Sequence, residues 1–280
     1  MTIPAESFPA EPSAAESSSV ERPPLAVTRD GVVATVTLDR PERRNAFDDV
    51  LARRIREAFG ELGADPEVRV IVLRGRGDFF CAGGDLGWMK RSGALPKDQN
   101  FEDAKGFAAA FAAVDRCPKP VVACVRGAAL GGGAGLVAVA DAAIAARSTV
   151  FGFPEVKLGI VPAAISPYVI TKIGWSHARK LFLTGERFDA DTALRIGLVH
   201  EVVVDAELDA AVARTVAGLL TSGPEALVRV KRLLKGMNAL APDGALLDLT
   251  ARTIADARAS AEAQEGFAAF LEKRKPTWAR

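Results

Sequence analysis

Apolar and polar residues alternate along Leu25–Leu38 on both sides of Asp30-Gly31, a dipeptide suited to a tight hairpin turn, so a pair of short strands is predicted there. Structure is expected to begin near Leu25. Leu51, Ile55, Ala58 and Leu62 then fall on one stripe at a period of roughly 3.6, the signature of an amphipathic helix. The run VRVIVLRG (68–75) is short and branched and reads as a buried strand. Beyond a long loop, the Phe and Ala spacing of 102–115 predicts a helix. Pro120 to Val125 predicts another buried strand, and Gly131-Gly132-Gly133 leads into the apolar helix LVAVA. From about Ala163 the pattern is mostly helical, interrupted by a short strand in LVHEVVV (198–204), and the stretch from Pro242 to Lys273 ends in the basic cluster Lys273-Arg274-Lys275. No tandem repeat of fixed period is visible. This alternation of strands and helices suits an α/β core with at least one layer of helices on a sheet.

Composition narrows the function. The chain has 280 residues, 49% of them hydrophobic and 25% charged, values of an ordinary globular protein. Its formal net charge of +1 gives no reason to expect a nucleic-acid or membrane-surface partner. No apolar run approaches the ~18 residues of a membrane helix. Cys81, Cys117 and Cys124 lack CxxC spacing and fit neither a disulfide framework nor a zinc site. Residues 1–24, rich in Ala, Pro, Ser and Glu, are expected to form a disordered tail. That tail has no apolar segment and carries acids, so it reads as no address, and a reducing cytoplasm is the expected location.

Two loops stand out as chemistry. Phe79-Phe80-Cys81-Ala82-Gly83-Gly84-Asp85-Leu86 follows the strand 68–75, and Gly127 to Gly135 lies between the strand 120–125 and a helix. Adjacent glycines let backbone N–H groups face a cleft with no Cβ in the way. A glycine-rich entry to a helix adds free N–H groups and the positive end of the helix dipole. Either loop alone is more often a tight turn. Two together, each after a strand, are a pattern for an oxyanion hole built from main chain. A dinucleotide fingerprint does not fit: counted from Gly131 its third glycine falls on Leu136, and counted from Gly127 its second falls on Ala129. No GxxxxGK[ST] is present.

The segments FFCAGGDL, VRGAALGGGAGLVAVAD and FGFPEVKLGIVP, in that order, resemble the core motifs of the enoyl-CoA hydratase/isomerase (crotonase) superfamily. LDRPERRNAF (38–47) resembles its early CoA-binding turn and EGFAAFLEKRKPTW (265–278) its C-terminal ending. The resemblance runs from about Leu25 to Trp278, and five motifs in the expected order are specific where one is not. It implies a crotonase-like α/β fold, ββα repeats forming a spiral core over 25–205, with a helical oligomerisation region over 206–280. It further implies that the N–H groups of Gly84 and Gly132 hold the thioester oxygen and that Glu155 exchanges a proton next to the carbonyl. A Glu after Pro at a helix start is usually a solvated dipole partner. Here the surrounding VFGFPEVKLGIV is mostly apolar, and burial would raise the carboxyl pKa toward that of a working general acid.

The chain departs from the superfamily pattern at Gly135, which stands where hydratases commonly carry a second glutamate. One-base hydration or dehydration and double-bond isomerisation both remain open. VKLGIVPAAISPYVITKIG and the following ARKLFLTGERFDADTALRIGLVHEVV look most like bacterial 3-methylglutaconyl-CoA hydratases of leucine breakdown, pointing to a branched acyl group, with Lys157 and Tyr168 as candidates to meet a distal carboxylate. The resemblance places CoA along Arg43, Arg44, Ala46, Ala82, Gly84, Asp85, Leu86, Gly87 and Gly132, with Lys273 of the terminal helix reaching a CoA phosphate, often on a neighbouring subunit. It implies a homotrimer or a dimer of trimers, and no cofactor, CoA being part of the substrate. Two rival classes carry less. Gly174-Trp175-Ser176-His177-Ala178 is one residue short of a nucleophile elbow, and no strand precedes it. Arg229, Lys231, Arg232 and Lys235 form a basic helix that could meet RNA, though an exposed helical face explains them as well.

Overall fold

The computed structural model describes residues 23–238, 252–258 and 260–279. The tail expected over 1–24 lies almost wholly outside them, as does part of the stretch that follows Pro242. The hairpin forms as predicted. β1 (Leu25–Asp30) and β2 (Val33–Leu38) pair antiparallel across Gly31, whose φ is 54°. β2 is followed by α1 (Asp49–Ala64), which buries Leu51, Ile55, Ala58 and Leu62 as the spacing requires.

β3 (Val70–Gly75), β4 (Val121–Val125), β6 (Ala142–Ala146) and β9 (Glu201–Val203) complete a six-stranded sheet of order β1-β2-β3-β4-β6-β9. Every pair after the hairpin is parallel. β4 throughout and β3 up to Leu73 are apolar because both faces are covered. Ile71, Leu73, Val121 and Ala123 join the core beneath α1 and α3 (Lys97–Arg116), whereas Val70, Val72, Val122 and Cys124 pack against Leu208, Val212 and Val216 of α7 (Leu208–Leu220).

A second, smaller sheet lies beyond the carboxyl ends of these strands. It contains β5 (Ala128–Leu130), β7 (Val150–Gly152) and β8 (Arg187–Asp189). Single bridges extend it through Cys81 opposite Ala129 and Phe47 opposite Gly84. The chain therefore repeats one unit: a strand of the large sheet, a short pairing in the small sheet, then helix. The unit occurs after β2, β3, β4 and β6, which is the ββα spiral. Variable spacing between units hides the repeat from any search for a fixed period.

The prediction missed several elements. The long loop before 102 holds α2 (Leu86–Gly93), the glycine segment holds β5, and 140–162 holds β6 and β7. β5, β7 and β8 have three residues each, too few for any periodicity to register. β6 is AAIAA, whose alanines favour helix in isolation, and its pairing between β4 and β9 overrides that preference. The GWSHA segment is no elbow. It lies inside α5 (Ser166–Thr184) at a kink where Gly174 has φ 75°. α6 (Ala190–Arg195) lies between β8 and β9, and the C-terminal helices α8 (Pro224–Asn238) and α9 (Ala261–Leu271) follow α7. Among the described residues, no helix is long and apolar enough to cross a membrane.

Candidate active site

Three segments are laced side by side where the two glycine loops meet. Ala82 N–H donates to Arg44 O, Phe47 N–H to Gly83 O at 2.7 Å, and Asp85 N–H to Phe47 O at 2.7 Å. On the other side, Cys81 N–H donates to Ala128 O and Leu130 N–H to Cys81 O, both at 3.0 Å. Loop 81–85 is thus held between the 44–47 turn and β5. In a trans peptide the C=O and N–H point in opposite directions. With the Gly83 carbonyl fixed on Phe47, the Gly84 N–H of the same peptide points away from the 44–47 turn, toward the side of β5.

The second loop shows the same logic. Gly131 O accepts from Gly135 N–H at 2.9 Å as the first turn of α4 (Gly132–Val139) closes. The Gly132 N–H, on the same peptide as that carbonyl, therefore projects backward off the start of the helix, where an α-helix leaves its first donors free. The loops touch. A Cβ on Gly83 would stand 3.1 Å from Leu130 O and 4.0 Å from the Gly131 α-carbon. Among the described residues, neither the Gly84 nor the Gly132 N–H has a protein acceptor.

Glu155 completes the group. It follows β7 in a 3-10 turn, Pro154–Leu158, with Pro154 presetting the first helical φ. Its carboxyl lies against Gly131, where a Cβ would sit 3.0 Å from Oε1. Gly131 has φ 49°, so glycine is favoured there for conformation and for space. Among the described residues, Oε2 is buried with no hydrogen-bond partner in the protein, so that oxygen is available to a bound group. Burial pushes the Glu155 pKa up, opposed only by its own backbone N–H.

The position of the expected second glutamate is closed. A Cβ on Gly135 would lie 2.2 Å from Ile165 Cγ2 and 3.0 Å from Phe111 Cε1. Ile165 and Phe111 are themselves buried, so neither can swing aside. Gly135→Glu is expected to lose at least about 3 kcal/mol of stability from overpacking, and a buried charge adds to that cost. Chemical denaturation measures it, and a variant as stable as the parent would refute the packing account.

The remaining candidates are scattered around this group. Arg43, Leu86 and Gly87 are exposed near it, Ala82 and Asp85 are half-buried, and Ala46 is buried with its carbonyl accepting from Arg40 at 2.6 Å. Arg44 has φ 52° and stacks its guanidinium 5.4 Å from the Phe79 ring centre. The sequence places Lys273 in the terminal helix, but it lies two residues beyond the end of α9 with φ 55°. Arg274 beside it pairs with Glu265 and Glu272. The C-terminal segment is tied to the far end of the sheet: Arg69, just before β3, donates to Trp278 O at 2.7 Å. β3 is six residues long, so that anchor stands about 20 Å from the loop leaving its other end.

Lys157 is exposed with its methylenes beside Gly185, and Tyr168 packs against the core edge. Cys81 is fully buried and its thiol is pushed up to about 12 by burial, which removes it as a nucleophile at neutral pH. On α8, Lys231 is largely buried against Asp141, whereas Lys235 pairs with Asp115 and Arg229 with Glu225 nearer the surface. The sequence reading passed over Arg40, Asn45 and Asp48. Asn45 is buried with φ 57°, and its side-chain amide spans Arg76 O and Phe79 O. Asp48 immediately ahead of the α1 stripe was the available signal, as a helix cap.

The sequence profile of the family described as Enoyl-CoA hydratase/isomerase matches residues 28–280. The chain belongs to the enoyl-CoA hydratase/isomerase family. It is 32% identical over 259 residues to the carnitinyl-CoA dehydratase of Salmonella typhi, covering 91% of this chain and 97% of that one. The structure of an enoyl-CoA hydratase from Shewanella pealeana superposes with a TM-score of 0.88 at 39% identity, covering 91% of this chain and 96% of that one. AtuE of Pseudomonas aeruginosa superposes equally well, with a TM-score of 0.88 at 40% identity over 92% of this chain and all of that one (100%). The chain is accordingly an enzyme of this family, with a crotonase fold, and an acyl-CoA thioester substrate is consistent with that membership.

Proposed function

We propose that the enzyme adds water to, and removes it from, the double bond of an α,β-unsaturated acyl-CoA, as a carbon–oxygen lyase. The N–H groups of Gly84 and Gly132 hold the thioester oxygen as negative charge builds on it. In dehydration Glu155 takes the proton from the α-carbon and passes it to the departing β-hydroxyl, which leaves as water; in hydration the same transfers run in reverse. The supporting observation is the buried, partnerless Glu155 oxygen beside the contact of the two glycine loops. An enolate forms at the α-carbon only if its oxygen is stabilised where the charge appears, and two fixed amides do so without reorganising.

In the dehydrating direction Glu155 must be ionised to take the proton. Because its pKa is raised, the rate climbs with pH only above the ordinary carboxyl range. A kcat/KM profile whose acid limb sits at an unshifted glutamate value would contradict this role.

The filled space over Gly135 favours a second reading, migration of the double bond, because one shuttling carboxyl suffices for it. A branched acyl group of the 3-methylglutaconyl type, as in leucine catabolism, follows from the resemblance of the segments around Glu155. CoA would run along Arg43, Arg44, Ala46, Ala82, Asp85, Leu86 and Gly87, and no separate cofactor is required. Lys273 lies in a C-terminal segment whose Trp278 is anchored at the far end of its own sheet, and would then serve a neighbouring copy in a homotrimer or a dimer of trimers. A panel of enoyl-CoA esters that includes 3-methylglutaconyl-CoA, assayed for water addition and for double-bond migration, tests these readings. Hydration of a branched ester supports the first, migration alone the second, and no turnover of any ester rejects both.

A further inference from the structure

We propose that Arg40 is a positioning residue that aims the Gly84 amide, an inference that rests on the oxyanion role proposed above. The Arg40 side chain is only 15% exposed and lies where the 39–48 segment meets the 81–86 loop. Its Nη1 donates to Ala46 O at 2.6 Å. Its Nη2 pairs with Asp48 Oδ2 at 2.9 Å and with Asp85 Oδ2 at 3.5 Å. The two aspartates are already committed through their other oxygens. Asp48 Oδ1 accepts from Leu51 N–H at 2.8 Å and caps α1, and Asp85 Oδ1 accepts from Trp88 N–H at 2.9 Å and caps α2. One guanidinium thus joins two helix starts and one turn carbonyl, a task its planar fork of donors suits.

The consequence for Gly84 is geometric. The bonds from Phe47 N–H to Gly83 O and from Asp85 N–H to Phe47 O straddle Gly84 on either side. Those bonds set the tilt of the Gly83–Gly84 peptide, and hence the direction of its N–H. Arg40 grips both strands of that pairing, through Ala46 and Asp48 on one side and Asp85 on the other. Without the guanidinium, two half-buried carboxylates face each other with no cation between them. Their repulsion would spread the 44–48 turn from the 82–86 loop and tilt the amide away from the thioester oxygen. Misplacement by about 1 Å costs on the order of 100-fold in rate even when every reacting group is present.

The test compares Arg40→Met, Arg40→Lys and the double variant Arg40→Met/Asp48→Asn, on an enoyl-CoA ester that the parent enzyme turns over. Asn caps a helix as well as Asp does, so the double variant removes the repulsion and keeps α1 capped. Arg40→Met is expected to lower kcat by about 100-fold with KM changed less than about threefold. Arg40→Lys, a point charge that cannot reach all three partners, should lose about tenfold in kcat. The double variant should recover to within about tenfold of the parent. Hydrogen–deuterium exchange should rise in Arg40→Met at peptides covering 44–48 and 82–86 and return toward the parent in the double variant.

A folded Arg40→Met protein with parental kcat overturns the proposal. So does a double variant no better than Arg40→Met, which marks a structural loss alone. If Arg40→Met does not fold, Arg40→Lys decides, and parental kcat there overturns the proposal. The exchange measurement needs no substrate, so it reports the brace even if Gly84→Pro remains active and the oxyanion reading itself falls.

Discussion

Glu155→Gln is expected to reduce turnover of enoyl-CoA esters by on the order of 10²- to 10⁴-fold, the contribution of a positioned acid/base group. Gln matches Glu in shape and preserves the 3-10 turn after β7, but it cannot carry the proton. The same change is expected to stabilise the fold. Burial raises the Glu155 pKa in the folded state, so the unfolded chain gives up this proton at lower pH than the native one. Folded-state stability therefore falls as pH rises through the window between the two values, and the deficit persists above it. Gln carries no such penalty. Thermal melts across pH should place the variant above the parent at neutral pH and level with it in acid. Opposite signs in activity and stability would mark a group held in place for chemistry. A variant within a few-fold of parental turnover would remove Glu155 from the reaction.

Gly84→Pro, set against Gly84→Ala, isolates a single backbone proton. Proline deletes the N–H that points away from the 44–47 turn while leaving the Gly83 carbonyl in place for Phe47. Losing one such donor costs roughly 10²–10³ in rate, and strain at the preceding Gly83, with φ 103°, adds to the loss. Alanine keeps the N–H. Its methyl would meet Met89 Sδ at 3.1 Å, and a thioether side chain can give way by that amount, so a loss under about tenfold is expected. Circular dichroism establishes that both variants fold, and steady-state kinetics compares them. Equal losses in the two would point to crowding against Met89 and not to the amide.

The loops carrying Gly84 and Gly132 and the turn carrying Glu155 were legible because each is written in one contiguous stretch. Glycine runs after apolar strands, and a Pro-Glu pair inside an apolar segment, need no partner elsewhere in the chain to be noticed. Arg40 was not legible in this way. Its partners Ala46 and Asp48 are near in sequence, but Asp85 is 45 positions away, and nothing local announces that pairing. The closure over Gly135 was equally hidden, because Ile165 arrives from the start of α5 and Phe111 from α3.

By itself the sequence determined the elements whose burial repeats within a few residues: the β1–β2 hairpin, α1, α3, and the buried strands β3 and β4. Periodicity reports a face turned toward the core, and those elements are long enough to show one. Tertiary structure alone decided β5, β7 and β8, which exist because their few backbone groups find partners across the small sheet. It also decided where the Gly84 and Gly132 N–H groups point, because their peptide planes are set by bonds to Phe47 and Gly135. The burial of Glu155 Oε2 belongs here as well, since desolvation of a carboxyl depends on what surrounds it in space, and chain order does not record that.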